Sequence, residues 1–296
     1  MNSGTNLNFS RFIAPYLFLV PAGMVLLVFF FIPFFETFLL SFKSYRTDIY
    51  NPEWVGLANY MELFGSPIFW KTLCNTFIFL IGVVPALIVL PLIIAIVINR
   101  KLAGINIFRA IIYIPVIVSI VAAGIAWKWV YADSGILNYL LEAVGFHRIG
   151  WLTDPRYSLY SVMFVTIWKG LGYYMVIYLA YLTTVPKDLW EAAEIDGASS
   201  IQKHLAVTVP HLLPAITFVA VMSSISAMKV FVEIYVMTQG GPLTASTTIV
   251  YYIYQRAFEN LDLGYASAAG VVLLVITLII SILNINVLEK DRYSST

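Results

Sequence analysis

Charge is scarce in this sequence. Only 11% of the 296 residues are Asp, Glu, Lys or Arg, and the formal net charge is +1. That balance gives no electrostatic footprint for nucleic acid or for a polyanionic substrate. Cysteine is scarcer still: the one residue, Cys74, excludes a disulfide framework and a cysteine-based metal site. Lying inside an apolar run, it reads as a core-packing side chain. Three histidines at scattered positions leave no paired metal spacing. Neither a GxxxxGK[ST] phosphate loop nor an HExxH pair occurs. The chain thus lacks recognisable ATP-hydrolysing machinery, metal ligands and paired acids, so it is expected to be no enzyme and to hold no cofactor of its own.

What it has in abundance is apolar surface. Hydrophobic residues make up 60% of the chain and the mean hydropathy is +0.87. No water-soluble domain of this size could cover so much with polar side chains, so the expectation is an all-α polytopic membrane protein. A bilayer core of about 30 Å needs about 20 apolar residues per helix. Six stretches meet that length: 12–40, 72–98, 110–127, 157–185, 212–238 and 263–288. Pro85 and Pro91 interrupt the second, a kink that membrane helices tolerate. The first is too long for a secretory signal and is followed by five more spans, which places it in the mature protein. The whole of 1–296 reads as one transmembrane domain. Its longest connections, 41–71 and 128–156, are aromatic, Gly- and Pro-rich, and read as interfacial or re-entrant caps. The short second loop carries Arg100, Lys101 and Arg109 with no acid, which favours cytoplasmic termini.

One polar segment stands out between the spans, over 187–211. Asp188 followed by Glu191, and Ser199 followed by Gln202, each have capping-box spacing, with turn-prone Asp196-Gly197 between them. The pattern predicts helix, Gly hinge, second helix, and reads as a docking site for a cytoplasmic partner. The small side chains of Ala192, Ala193 and Ala198 allow close approach, and Glu191, Glu194 and Asp196 offer carboxylates to basic groups. The local alternative is that Glu191 only caps its helix and Asp196-Gly197 only turns the chain. His204 reads as solvated or partner-facing, and His211 as an interfacial residue at the start of the next span.

Inside the spans, charges carry the information, because each costs about 2.5–3.5 kcal/mol at the bilayer centre. Lys169 lies near the middle of the fourth span beside Gly170, Gly172, Tyr173 and Tyr174. Small residues next to aromatic faces suit a polar solute with apolar CH faces. The competing role for Lys169 is to pair helices or satisfy a backbone carbonyl. Lys229 and Glu233 are spaced to neutralise each other within one helix. On the residues alone, a subunit that works through a cytoplasmic partner stands beside an autonomous ion-coupled secondary transporter, which would need central acids and an internal repeat.

The run EAAEIDGAS, with Pro210 following, resembles the EAA motif of permease subunits in binding-protein-dependent ABC importers. WVGLANYMELF with FWKTLCNTF, FRAIIYIPVIVS, WKWVYADSGILN, and YVMTQGGPLTASTT with YIYQRAF are similar to segments of the carbohydrate-type permeases, of the maltose and glycerol-3-phosphate kind. The large periplasmic insertion of the maltose permease is absent. The resemblance implies a type I importer permease fold in a bacterial plasma (inner) membrane. It implies as partners a second, similar permease, two ATPase subunits that hold ATP and Mg, and an extracytoplasmic solute-binding protein, with a sugar, polyol or related small polar solute as cargo. The GGP segment resembles that of the first permease of such pairs. By the same resemblance Glu191, Ala192, Ala193, Asp196, Gly197 and Pro210 couple to the ATPase. Counting from the motifs places Thr166, Lys169, Gly170, Tyr173, Ser223, Ala227 and Val230 at the solute path.

Overall fold

The computed structural model describes residues 5–46, 51–99 and 104–293. Arg100 and Lys101, two of the positive charges of the second loop, lie outside the described residues. Along the chain, α1 (Thr5–Leu26) runs through a π-helical turn (Leu27–Phe31) into α2 (Ile32–Leu40). A two-residue ladder follows, β1 (Lys43–Ser44) against β2 (Glu53–Trp54), and then α3 (Ala58–Gly65). The helices after it are α4 (Pro67–Ile98), α5 (Ile105–Ile117), α6 (Ile120–Val130), α7 (Ile136–Ala143) and α8 (Ser158–Leu182). Next come α9 (Lys187–Ile195), α10 (Ser200–Lys203), a π turn (His204–Thr208) and α11 (Val209–His211). The chain closes with α12 (Leu213–Met228), α13 (Val232–Met237), α14 (Ile249–Tyr254), a further π turn (Gln255–Glu259) and α15 (Leu263–Tyr293). Among the described residues four helical stretches, Pro15–Leu40, Pro67–Ile98, Ser158–Leu182 and Leu263–Val287, are long and apolar enough to cross a membrane. Counting each of two bent pairs, Ile105–Ile117 with Ile120–Val130 and Ser200–His211 with Leu213–Met228, as one span makes up to six.

The chain divides into two compact units, 1–65 with 255–271 and 66–254 with 272–296. In the first, Arg46 is a clasp. Its Nε and Nη2 donate to Asp262 Oδ2 at 2.8 and 2.6 Å, and Nη2 also reaches Glu62 Oε1 at 2.8 Å. Asp262 in turn accepts from the backbone N–H of Tyr265 at the start of α15. Asn59 Nδ2 donates to the carbonyls of Ser41 and Lys43, which fixes the backbone entering β1.

The second unit holds the core. α4 begins with Ser66 as its cap, accepting from Phe69 N–H, and with Pro67 in the first turn, where a missing N–H costs nothing. Its 32 residues extend about 48 Å at 1.5 Å per residue, enough to cross with some tilt. Phe79, Val83 and Leu87 of α4 pack with Val162, Met175 and Tyr178 of α8 and with Leu212 and Val219. Cys74 is exposed, contrary to the core role read from the sequence. The inward face of α4 is set by Thr72, Leu73, Thr76, Phe79 and Val83, and Cys74 falls off that stripe.

Two spans depart from the straight runs expected. The stretch 110–127 is α5 and α6, meeting at 99° around Val118 and Ser119. The stretch 212–238 stops being helical after Met228, and only the short α13 follows. The helix break falls between Lys229 and Glu233, so the pair spaced for mutual neutralisation forms no ion pair.

Polar side chains hold the connecting segments of this unit. Loop 238–248 is pinned to α4: Lys71 Nζ donates to Leu243 O at 2.7 Å, Asn75 Nδ2 to Thr244 O and Thr247 O, both at 3.0 Å, and Thr76 Oγ1 accepts from Ile249 N–H at 2.9 Å. In the 128–156 connection, fully buried Asn138 donates to the carbonyls of Ala132, Asp133 and Ile149 and accepts from Ile149 N–H and Trp151 Nε1. Asn138→Ala leaves these groups without partners, an expected loss on the order of 3 kcal/mol. A thermal midpoint equal to the parent's would refute that. Nearby, the hydrogen bond from Arg148 holds the Glu142 carboxyl below its usual range.

Candidate functional site

The segment 187–211 folds as two short helices around a glycine. α9 starts directly after Pro186, whose extended backbone (φ −61°, ψ 132°) suits a helix entry. The predicted reciprocal cap between Asp188 and Glu191 is absent, because Asp188 is already inside the first turn. There its charge favours the positive end of the helix dipole. The helix closes in a Schellman arrangement: Ala198 N–H donates to Ala193 O at 3.0 Å and Gly197 N–H to Glu194 O at 3.1 Å. Gly197 sits at φ +75°, and a Cβ added there would meet nothing within 4 Å. Glycine is required here for its backbone, not for space. Ser199 then opens α10 with the expected capping box, Ser199 N–H to Gln202 Oε1 at 2.8 Å and Gln202 N–H to Ser199 Oγ at 3.4 Å.

The outward surface of this hairpin mixes acid and apolar groups. Glu191, Ala192, Glu194, Asp196 and Gly197 are exposed and Ala193 is half-buried. Ile195 is 86% exposed, Ile201 72% and Leu205 64%, which an isolated polar loop would not need. The inward side is anchored by a residue that the sequence reading passed over. The ring of Trp190 meets His204 edge-on with centroids 4.9 Å apart, and Lys203 Nζ lies 5.7 Å from the same ring. Lys203 also pairs with Glu194 at 3.3 Å, and His204 Nδ1 lies 3.1 Å from Thr208 Oγ1. His204 is therefore a bracing residue and not a solvated one. A lone Trp in a helix with four charged residues, Lys187, Asp188, Glu191 and Glu194, was the available signal. Behind the hairpin lies a cavity of about 380 Å³, lined by Asn99, Leu182, Lys187, Trp190, His204 and Thr208 among others. Pro210 is exposed near the end of the segment, beside His211, whose Nε2 lies 3.3 Å from Thr184 Oγ1.

The residues predicted at the solute path do not line the cavity behind the hairpin. Thr166 Oγ1 donates to Val162 O at 3.1 Å, a bond within its own helix. A Cβ on Gly170 would come 2.8 Å from Leu87 Cδ2, so that glycine lets α8 approach α4. Tyr173 is 42% exposed, with its ring edge-on to Tyr174. Ser223, Ala227 and Val230 are buried within this chain, and Ser223 Oγ donates to Val219 O at 2.6 Å. A solute reaches those three only if neighbouring helices part.

Lys169 is placed differently from the rest. Its Nζ donates to the carbonyls of Pro115, Val116 and Val118 at 3.1, 3.3 and 2.6 Å. Hydrogen bonds to a charged group contribute about 1.5–3 kcal/mol each. Three of them are of the size needed to offset the insertion cost of about 2.5–3.5 kcal/mol for such a charge. At the opposite end of α8 from the 187–211 segment, Trp127, Tyr131, Trp151, Tyr157, Tyr160 and Phe164 line an almost wholly apolar cavity of about 350 Å³. Among the described residues no group of three His, Cys, Asp or Glu side chains is placed to hold a metal.

Residues 55–290 match the family described as "Binding-protein-dependent transport system inner membrane component". The chain is 37% identical over 286 residues to the probable ABC transporter permease protein YurN of Bacillus subtilis (strain 168), covering 95% of this chain and 97% of that protein. It is 34% identical over 284 residues to the arabinooligosaccharides transport system permease protein AraP of the same organism, covering 95% and 90%. Among solved structures, the fold matches a chain of a bacterial alginate ABC transporter in complex with an alginate pentasaccharide-bound periplasmic protein. That match has a TM-score of 0.82 and 24% identity, and it covers 100% of this chain and 99% of the other.

Proposed function

The chain belongs to the family of binding-protein-dependent transport system inner membrane components, and from that membership we propose how it works and what it carries. It is a multi-pass permease subunit of a binding-protein-dependent importer. Its cargo is a sugar, polyol or oligosaccharide, a reading supported by its likeness to a permease of an arabinooligosaccharides transport system. It acts as the first of two similar permeases in a bacterial inner membrane, with 1–296 as one functional domain and both termini cytoplasmic. Two ATPase subunits carry the ATP and Mg, and this chain carries neither.

The observation that bears most weight is the braced hairpin at 187–211. Its acid and apolar groups face outward while Trp190, His204 and Thr208 lock its inner side. A surface held this firmly can transmit a push, whereas a flexible loop would absorb it. Glu191, Ala192, Ala193, Asp196 and Gly197 meet the ATPase, and Pro210 marks the return to the membrane. On the path side, Thr166, Gly170 and Tyr173 of α8 contact the solute, and Ser223, Ala227 and Val230 come into reach when the path opens. Closure of the ATPase subunits then moves the spans that flank the hairpin.

The test is ATPase activity of the purified assembly in lipid, measured with a panel of solute-loaded binding proteins. Stimulation by a carbohydrate-loaded member is the expected result. An assembly with no co-purifying ATPase, or a chain that alone moves solute along an ion gradient, would overturn the proposal.

A further inference from the structure

The third span is two helices, and its bend has a dedicated partner. α5 ends at Ile117, Val118 is extended (φ −65°, ψ 133°), Ser119 likewise (φ −53°, ψ 137°), and α6 leaves at 99°. A helix that ends leaves its last carbonyls without the N–H groups that would have followed. Within hydrocarbon such carbonyls have to be met by protein groups. Here they are met from another helix. The ammonium of Lys169, on α8, donates to Pro115 O, Val116 O and Val118 O. An ammonium has three N–H donors and no acceptor, so these contacts use all of it.

The surrounding packing is built to allow this reach. Three residues beyond Lys169, a Cβ on Gly172 would lie 2.5 Å from Ile112 O and 2.9 Å from Tyr113 Cα, so only glycine lets α8 come this close to α5. On the far side of the bend, a Cβ on Gly124 of α6 would lie 3.0 Å from Val236 Cγ1 of α13. The bend is thus clamped on both arms by close helix contacts, and Lys169 is the polar group at its apex. Glu233, also on α13, forms no ion pair with Lys169. The ammonium is committed to backbone, not to a carboxylate.

We propose that Lys169 is a positioning residue for transport, whose ammonium takes the place of the N–H groups that the break at 118–119 turns away from the carbonyls of Pro115, Val116 and Val118, and so fixes the angle between α5 and α6. It acts on the path through the backbone of the third span, not by touching solute. The functional half of this proposal rests on the permease reading, and the structural half does not.

The experiment uses the full chain, purified from membranes with the partners it retains and placed in lipid nanodiscs. Cys74→Ser removes the native thiol, and nitroxide labels go on cysteines at Phe108 and Trp129, both exposed, one on each arm of the bend. Double electron–electron resonance then reads the distance between the arms. Lys169→Met is expected to shift and broaden that distribution, and Lys169→Arg, which keeps charge and donors, to hold it nearer the parent's. A Met variant with the parent's distribution overturns the proposal, as does an Arg variant displaced as far as Met. If the Met variant fails to accumulate, Lys169→Gln keeps two of the three donors and carries the same test, with an intermediate shift expected and a parent-like distribution overturning.

Kinetics on the same samples separate positioning from solute contact. Positioning lowers the maximal stimulated ATPase rate and leaves the half-saturating concentration of loaded binding protein unchanged, whereas loss of the rate with no change in the distance overturns it. Because the distance measurement needs no solute, an assembly without solute-stimulated ATPase would sink the importer reading and leave the test of the bend intact.

Discussion

Gly197→Leu is expected to reduce solute-stimulated ATPase activity by about tenfold or more, since every 1.4 kcal/mol is a factor of ten. An L-residue with a branched or bulky side chain in the left-handed region costs about 1–2 kcal/mol, and Gly197 stands at φ +75°. The chain relieves that strain by rotating out of the region, which breaks the bonds from Ala198 N–H to Ala193 O and from Gly197 N–H to Glu194 O. α10 then leaves α9 in a new direction, and the outward acid and apolar groups no longer form one surface. A control separates backbone from bulk. A Cβ at this position meets nothing within 4 Å, so neither Asn nor Leu is blocked at that atom. Asn tolerates the left-handed region far better, and Gly197→Asn should keep most of the stimulation. Equal activity in the Leu, Asn and parent assemblies would show that the turn geometry does not matter.

Gly172→Ala should be the most destabilising of the single-methyl additions on α8. The atoms it would strike are the backbone of α5, Ile112 O and Tyr113 Cα, which cannot move aside without the whole helix. Overpacking of this kind costs about 1–3 kcal/mol, and an immovable neighbour places this site at the upper end. Gly170→Ala presses on the end of the Leu87 side chain and touches the Tyr174 ring at an ordinary 3.6 Å, and Gly270→Ala meets nothing within 4 Å. Melting temperatures of the solubilised assembly should therefore fall in the order Gly270→Ala, Gly170→Ala, Gly172→Ala. A Gly172→Ala midpoint level with that of Gly270→Ala would contradict the close approach of α8 to α5.

The features legible in the sequence were those decided locally. The charge-free run at 72–98 is helical over Pro67–Ile98, and 157–185 and 263–288 match Ser158–Leu182 and Leu263–Tyr293 to within a few residues at most ends. Ser199 and Gln202 make their capping box, and Asp196-Gly197 makes the turn, because each needs only neighbours in the chain. The features that were missed depend on partners distant in sequence. Pro85 and Pro91 leave α4 unbroken, whereas α5 stops two residues after Pro115, where a lysine about fifty residues away donates to the loose carbonyls. The end of α12 at Met228 is similar: Val230 O is taken by Thr248 Oγ1, from a loop the apolar pattern cannot see. Cys74 shows a further limit. In a helix apolar on every side, periodicity does not mark which face packs against protein and which against lipid.

The order of donor and acceptors along the chain bears on how the protein is made. The carbonyls that receive Lys169 belong to residues 51–54 positions earlier. A ribosome working from the N-terminus has thus delivered the bent span before α8 is complete. When the ammonium enters the bilayer its acceptors have already been synthesised, and the most costly side chain of the fourth span need never cross hydrocarbon unaccompanied.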